Sequence, residues 1–201
     1  WQRSDLIFSI VKCLLSCYCL KKNNHLRNDA IWIISATRYH KTKNVPVFLK
    51  AIQLVKKQIG NIQVFMCGKG LDEENRELVE VVAKNELVLN QDVFLRGLVN
   101  NLPELFSACD LYVLHSAAEA FPNTLLEAMS CEIECIATEA GDVRKIHPNE
   151  DNIVPIGDAE ILANKIIQKI QEKLQRKPDY RELVLKKYSI INVVKEYEKY
   201  Y

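Results

Sequence analysis

Two hydrophobic periods alternate along the chain. Short uninterrupted runs of β-branched and aromatic residues are separated by longer stretches in which apolar residues recur at every third or fourth position. The short runs are IWIISA (Ile31–Ala36), IQVFMCG (Ile62–Gly68), VFLRG (Val93–Gly97), LYVLHS (Leu111–Ser116) and IECIAT (Ile133–Thr138). Each is too short for a helix and lacks apolar-polar alternation, which predicts strands covered on both faces. NIVPI (Asn152–Ile156) is a sixth candidate, confined to an edge by Pro155. Between the strands, Asn44 is expected to cap a helix with Pro46 in its first turn and Phe48, Ile52, Val55 and Ile59 on one face. Asp72–Val88 carries Leu78, Val81 and Val82, and Asn101 opens a shorter helix with Leu105, Phe106 and Cys109. Asp158 is expected to cap a helix reaching Leu174 with Ile161, Ile166, Ile170 and Leu174 inward, and IINVVKEYEKYY closes the chain. Strands alternating with helices predict an α/β fold: a parallel sheet of about six strands, helices on both faces and right-handed crossovers.

The N-terminal stretch LIFSIVKCLLSCYCLKK, Leu6 to Lys22, stands outside this pattern. Its apolar run is broken by Lys12 and falls short of the roughly 20 residues that cross a bilayer. It is expected to be a packed amphipathic helix, a segment lying on a membrane surface, or the remnant of a preceding domain. Residues 1–30 are therefore set apart from a single domain over 31–201, within which no repeat or low-complexity linker marks a further boundary. Lys and Arg total 27 against 26 Asp and Glu, so no global field favours nucleic acid. Seven cysteines, an odd number without a Cys-x-x-Cys pair, sit mostly in apolar runs. They are read as reduced, which places the protein in the cytoplasm, or at the inner face of the membrane if Leu6–Lys22 touches it.

In such a sheet ligands bind beyond the carboxyl ends of the strands, where helix N-termini offer unpaired amides. Arg38 and Lys43 follow the first strand, a pair suited to clamping a phosphate group, although a solvated charge run would look the same. Gly68 and Gly70 follow the second strand and either admit a ligand or merely turn the chain. After the fourth strand comes HSAAEAFPNTLLEAMSC. It places Glu119 in the loop and Glu127 within the next helix, with the amides of Ala120, Phe121 and Asn123 between them. Acids there also serve as ordinary partners of a helix dipole. No Asp-x-Asp pair or histidine cluster suggests a metal, and His40 and His115, without obvious partners, are assigned to surface or packing roles.

Five separated motifs, in order, resemble the group 1 glycosyltransferases: Arg-x4-Lys-Asn after the first strand, Gly-x-Gly, VFLRGLV, SAAEAFPNTLLEAMSC and ATEAGDVRKI. These are retaining, nucleotide-sugar-dependent enzymes of two Rossmann-like domains. The resemblance implies that this chain carries the C-terminal, donor-binding Rossmann-like domain. It assigns Arg38 and Lys43 to the donor diphosphate, Glu119 to the sugar hydroxyls, Glu127 to the ribose diol and Leu98 to the base. Gly68, Gly70, Ala120, Phe121, Asn123 and Thr124 complete the implied donor site, and Arg38, Lys43 and Glu119 its catalytic part. The implied donor is a nucleoside diphosphate sugar, foremost a UDP-sugar, with neither metal nor cofactor. The implied acceptor is a glycan or lipid of polysaccharide or glycolipid synthesis, held by a missing or separate acceptor domain. A non-catalytic nucleotide-sugar-binding subunit of a two-chain transferase and an epimerase-like enzyme are the alternatives. Glu132 departs from the pattern, standing where a glycine normally permits a left-handed turn, so either strain or a rebuilt turn is expected there.

Overall fold

The structure, a computed structural model, describes residues 29–172 and 179–199. The expected helix Leu6–Lys22, Leu174 and the last two tyrosines lie outside the described residues. Six parallel strands form one sheet: β1 (Ile31–Ala36), β2 (Ile62–Cys67), β3 (Val93–Gly97), β4 (Leu111–Leu114), β5 (Glu134–Thr138) and β6 (Ile153–Val154). Their order is β3-β2-β1-β4-β5-β6, the doubly wound arrangement of Rossmann-like folds. The helices are α1 (Val45–Ile59), α2 (Arg76–Lys84), α3 (Leu102–Ala108), α4 (Asn123–Ser130), α5 (Val143–Ile146), α6 (Ala159–Gln171), α7 (Tyr180–Tyr188) and α8 (Ile190–Glu198).

Alternate strand residues feed two separate cores. Ile33, Val64, Met66 and Val113 point to the face covered by α1 and α6, where Phe48, Ile52, Leu162 and Ile166 meet them. Trp32, Ile34, Phe65, Tyr112 and Leu114 point to the other face, covered by α3, α4 and α7. Both faces being dry is why the strands read as unbroken apolar runs. Strand β6 lies at the edge, as Pro155 predicted, and pairs with β5 through Ala137–Ile153 and Thr138–Val154, but it ends before Pro155 rather than running from Asn152 to Ile156.

Several boundaries move for local reasons. The second helix starts at Arg76 rather than Asp72, because Asn75 caps it by accepting from the Leu78 amide at 3.2 Å. Its end comes at Lys84, and Glu86 then adopts a left-handed φ of 57°. Asn44 occupies the N-cap position of α1 without capping through its side chain: it is left-handed itself, with φ 55°, and closes a short 3-10 turn over Lys41–Lys43. Asn101 likewise makes no side-chain cap. Asp158 does cap α6, accepting from the amides of Glu160 and Ile161. The buried face of α6, however, is Leu162, Ala163, Ile166 and Ile167, and Ile161 is 42% exposed. Helix α7, which the sequence pattern did not announce, packs on α4 and buries Tyr180 and Val184. Beyond it, the apolar face of α8 is open, with Ile190 80% exposed.

Glu132 has a left-handed φ of 58°, so of the two expectations the turn is kept and the strain accepted. Glu132→Gly should therefore raise the unfolding free energy by about 1 kcal/mol, since only glycine adopts this conformation without a Cβ penalty. Gly68→Ala should do the reverse. Gly68 has φ 132°, and a methyl group there would overlap the Thr37 carbonyl, so a loss of at least about 2 kcal/mol is expected. Urea denaturation of the two variants beside the parent protein checks both signs.

Candidate active site

Between β1 and β4 the winding of the sheet reverses. The chain runs from β1 outward to β2 and β3 on one side, and from β4 outward to β5 and β6 on the other. The loops leaving β1 and β4 therefore diverge and leave a crevice at the carboxyl end, the place where such sheets bind ligands. Residues 37–44 form one wall and residues 115–122 the other.

The first wall is fixed mainly through its backbone. The Thr37 amide donates to Cys67 O at 2.8 Å and the Tyr39 amide to Lys69 O at 2.8 Å, which binds the loop to the end of β2. Gly68 permits this approach. Gly70, at φ 75°, lies against Tyr39 and offers its carbonyl to Asn75 Nδ2 at 2.8 Å. His40 caps the 3-10 turn through its ring, bonded to the Thr42 amide and hydroxyl. Across the crevice, Thr42 O accepts from the Ala117 amide at 2.7 Å and the Ala118 amide at 3.3 Å.

Lys43 and Glu119 meet at the bottom. The ammonium donates to Glu119 Oε1 at 2.6 Å, with the two side chains only 15% and 12% exposed. Ser116 Oγ donates to the same oxygen at 2.6 Å, and Ser116 O in turn accepts from Thr138 Oγ1 at 2.6 Å. Gly141 presses its backbone against the Glu119 carbonyl, where a Cβ would not fit. The loops after β1 and β4, the latter tied to β5 through Thr138, thus hold one carboxylate. Both of its side-chain donors fall on Oε1, so Oε2 remains able to accept from a ligand hydroxyl.

The other candidates surround this pair. Arg38 is exposed and makes no ion pair among the described residues. Ala120 and Phe121 are exposed, and their amides take no hydrogen bond among the described residues. The Asn123 amide is not free as the sequence suggested, since it already donates to Phe121 O at 3.0 Å across the tight turn at Pro122. Thr124 Oγ1 accepts from the buried Tyr112 hydroxyl at 2.9 Å and keeps its own proton to donate outward. Glu127 follows on α4, exposed at its tip, with partial desolvation pushing its carboxyl above the ordinary range. Leu98 stands 79% exposed beyond β3. Lys43 and Glu119 are therefore joined directly, while neither Arg38 nor Glu127 bonds to them.

His115 corrects the sequence reading, which gave it no partner. It is buried, stacked on Phe48 with ring centroids 4.3 Å apart, and bonded through Nδ1 to Lys43 O at 2.6 Å and through Nε2 to Ser35 Oγ at 2.7 Å. Burial, helped by the Lys43 charge, draws its pKa down to about 4, so the ring is neutral and has a single N–H. A carbonyl can only accept, so that hydrogen sits on Nδ1, and the Ser35 hydroxyl donates to Nε2. Ser35, Thr42, Ser116 and Thr138 also escaped the sequence reading. For Ser35, Ser116 and Thr138 the one available signal was a polar residue at the carboxyl end of an otherwise apolar run. Among the described residues no group of three or more His, Cys, Asp or Glu side chains is placed to hold a metal ion, and no helix is long and apolar enough to cross a membrane.

The sequence model of the family Glycosyl transferases group 1 matches residues 20–183. The chain belongs to the group 1 glycosyltransferases. Among its relatives is an N-acetyl-α-D-glucosaminyl L-malate synthase of Bacillus anthracis, 28% identical over 90% of this chain and 48% of its own length. Anabaena HepE, solved in complex with UDP-glucose, superposes with a TM-score of 0.79 at 19% identity, covering 92% of this chain and 51% of that one. The C-terminal domain of the group 1 glycosyltransferase LpcC from Francisella tularensis gives a TM-score of 0.66 at 26% identity over 79% of this chain and 87% of that one. The chain spans about half the length of the curated relatives it matches.

His115 gives this group 1 domain a pH-dependent stability. Its folded pKa of about 4 lies below the 6.5 of an ordinary imidazole, so the unfolded chain binds a proton that the native state refuses. The stabilisation is complete above pH 6.5 and is lost as the pH falls towards 4, by up to about 3 kcal/mol. Buried His147, also shifted down, loses stability in the same direction. Urea unfolding at neutral and at acid pH should accordingly show a smaller acid loss in His115→Phe than in the parent.

Proposed function

We propose that residues 31–201 are the donor-binding domain of a retaining glycosyltransferase, with residues 1–30 an extension or the remnant of a preceding domain. It transfers a sugar from a nucleoside diphosphate sugar, foremost a UDP-sugar, to a glycan or lipid acceptor. The observation that carries this reading is the Lys43–Glu119 pair, which joins the loops after β1 and β4 at the switch point of a doubly wound sheet. An ammonium has three donors; one is used on Glu119, and the others are available to the oxygens of a diphosphate. Arg38 on the same wall, without an ion pair among the described residues, supplies a second cation. Glu119 Oε2 and the amides of Ala120 and Phe121 suit sugar hydroxyls, Glu127 suits the ribose diol, and Leu98 offers an apolar surface to the base.

The chemistry follows from charge. As the bond from the anomeric carbon to the diphosphate breaks, negative charge grows on the departing oxygen, and cations already in place stabilise that state more than the ground state. Lys43, held by its ion pair, and Arg38 on the solvated rim supply the charge that a divalent metal supplies elsewhere. The acceptor is held by a separate acceptor domain, as the family resemblance implies. The complex of HepE with UDP-glucose and the N-acetylglucosaminyl group in the name of the Bacillus anthracis relative support a UDP-hexose or UDP-N-acetylhexosamine donor.

Titration calorimetry in the presence of EDTA tests the reading with UDP, UDP-glucose and UDP-N-acetylglucosamine. Binding of UDP is expected, weakened at least about tenfold, or 1.4 kcal/mol, in Glu127→Ala. Glu119→Gln should remove the extra affinity of the UDP-sugar over UDP. A folded protein that binds none of the three overturns the proposal.

A further inference from the structure

We propose that His115 is a positioning residue: its Nδ1–H holds the Lys43 carbonyl and thereby aims the Lys43 ammonium at the donor diphosphate. The inference rests on the reading of Lys43 given above and extends it to a residue that touches no ligand. Four observations carry it. The ring spans the whole first wall, bonding Ser35 before the loop begins and Lys43 near its end, and stacking on Phe48 in the first turn of α1. Both peptide groups flanking the Lys43 Cα are thus engaged, the amide by His40 O at 2.8 Å and the carbonyl by His115 at 2.6 Å. With both fixed, the Cα–Cβ direction of Lys43 is fixed as well, and the side chain leaves the backbone towards Glu119. Finally, the next residue, Asn44, holds a left-handed φ of 55°, a shape that the loop needs a restraint to keep.

An apolar residue of the same size would fill the space but leave Ser35 Oγ and Lys43 O buried without partners. A neutral imidazole supplies one acceptor and one donor on opposite edges of a flat ring, which suits this gap between two diverging loops. The ring comes from the end of β4, while both groups it bonds lie on β1 and the loop after it. The two walls of the crevice are therefore held in register by a contact that no ligand has to make.

The test is a double-mutant cycle on the full chain, with UDP and uridine as probes. His115→Phe keeps the ring on Phe48 and removes both hydrogen bonds. His115→Asn places an amide N–H where Nδ1–H was, and Lys43→Ala removes the ammonium. His115→Phe is expected to weaken UDP at least about tenfold and leave uridine within about twofold, and His115→Asn to recover most of the loss. In the Lys43→Ala background, His115→Phe should change UDP affinity by less than about twofold, because the lever it acts through is gone. Losses that add in the cycle, or that fall equally on uridine and UDP, would make His115 a packing residue and overturn the proposal.

A ligand-free readout separates this failure from failure of the functional reading. Long-range ¹H–¹⁵N spectra should show His115 as the Nδ1–H tautomer. The Lys43 ammonium should be protected from exchange in the parent and in His115→Asn and lose that protection in His115→Phe. If UDP does not bind at all, the donor reading fails and these spectra still decide the clasp. A protected Lys43 ammonium in His115→Phe refutes it. Should His115→Phe not fold, His115→Asn decides alone: parent-like UDP affinity and Lys43 protection support the clasp, and their loss overturns it.

Discussion

The reversal of winding between β1 and β4 is the constraint from which the site follows. Neighbouring parallel strands that send their crossovers to opposite sides leave no helix above their shared carboxyl end. The loops after β1 and β4 must then brace one another across an open crevice. Here they do so through backbone groups: Thr42 O takes the amides of Ala117 and Ala118, and Cys67 and Lys69 hold the first loop from β2. Backbone tethers leave the side chains at the rim free to carry charge. Gly68 and Gly141 mark where one main chain lies directly on another, which is why neither position has room for a Cβ.

Within that frame the Lys43–Glu119 pair is poor evidence for stability and good evidence for orientation. Taking two ions to 15% and 12% exposure costs desolvation energy that their attraction offsets only with added hydrogen bonds, and Ser116 provides one. The return is a carboxylate and an ammonium whose positions do not have to be found after a ligand arrives. Restraint of this kind accumulates around one short loop, with a left-handed residue at Asn44, a 3-10 turn capped by His40 and a buried imidazole clasp at His115. Loops that only connect elements do not need so many fixed points.

The sequence disclosed the sheet because both of its faces are dry, so β1 to β5 each appear as apolar runs that no helix period explains. It disclosed less where one apolar stripe admits two phases. In α6, Ile161, Leu162, Ala163, Ile166, Ile167 and Ile170 fit more than one face, and small Ala163 weighs little in a pattern though it is fully packed. Helix α7 was silent because it buries only Tyr180 and Val184 among charged residues. At the site, Glu119, Glu127, Arg38 and Lys43 were legible as charged groups at strand ends and helix starts. His115 and Thr138 were not, since each bonds a backbone carbonyl, the former 72 residues away and the latter 22. A carbonyl belongs to every residue, and so it leaves no trace in side-chain spacing.

The charge arrangement also explains why the crevice can remain formed without a ligand. A lone ammonium held at this depth would be costly, and a lone carboxylate equally so. Each neutralises the other in the ligand-free domain, while Arg38 waits in solvent at no such cost. A diphosphate brings negative charge that the Lys43–Glu119 pair, already balanced, cannot fully compensate. Arg38 can supply the difference by moving from the solvated rim to the anion. In the proposed donor complex the fixed pair sets where the diphosphate lies, and exposed Arg38 completes the charge balance. That division of labour requires Lys43 to keep its direction while its partners change, and the clasp on its carbonyl, rather than the ion pair itself, is the contact that does not depend on what the ammonium binds.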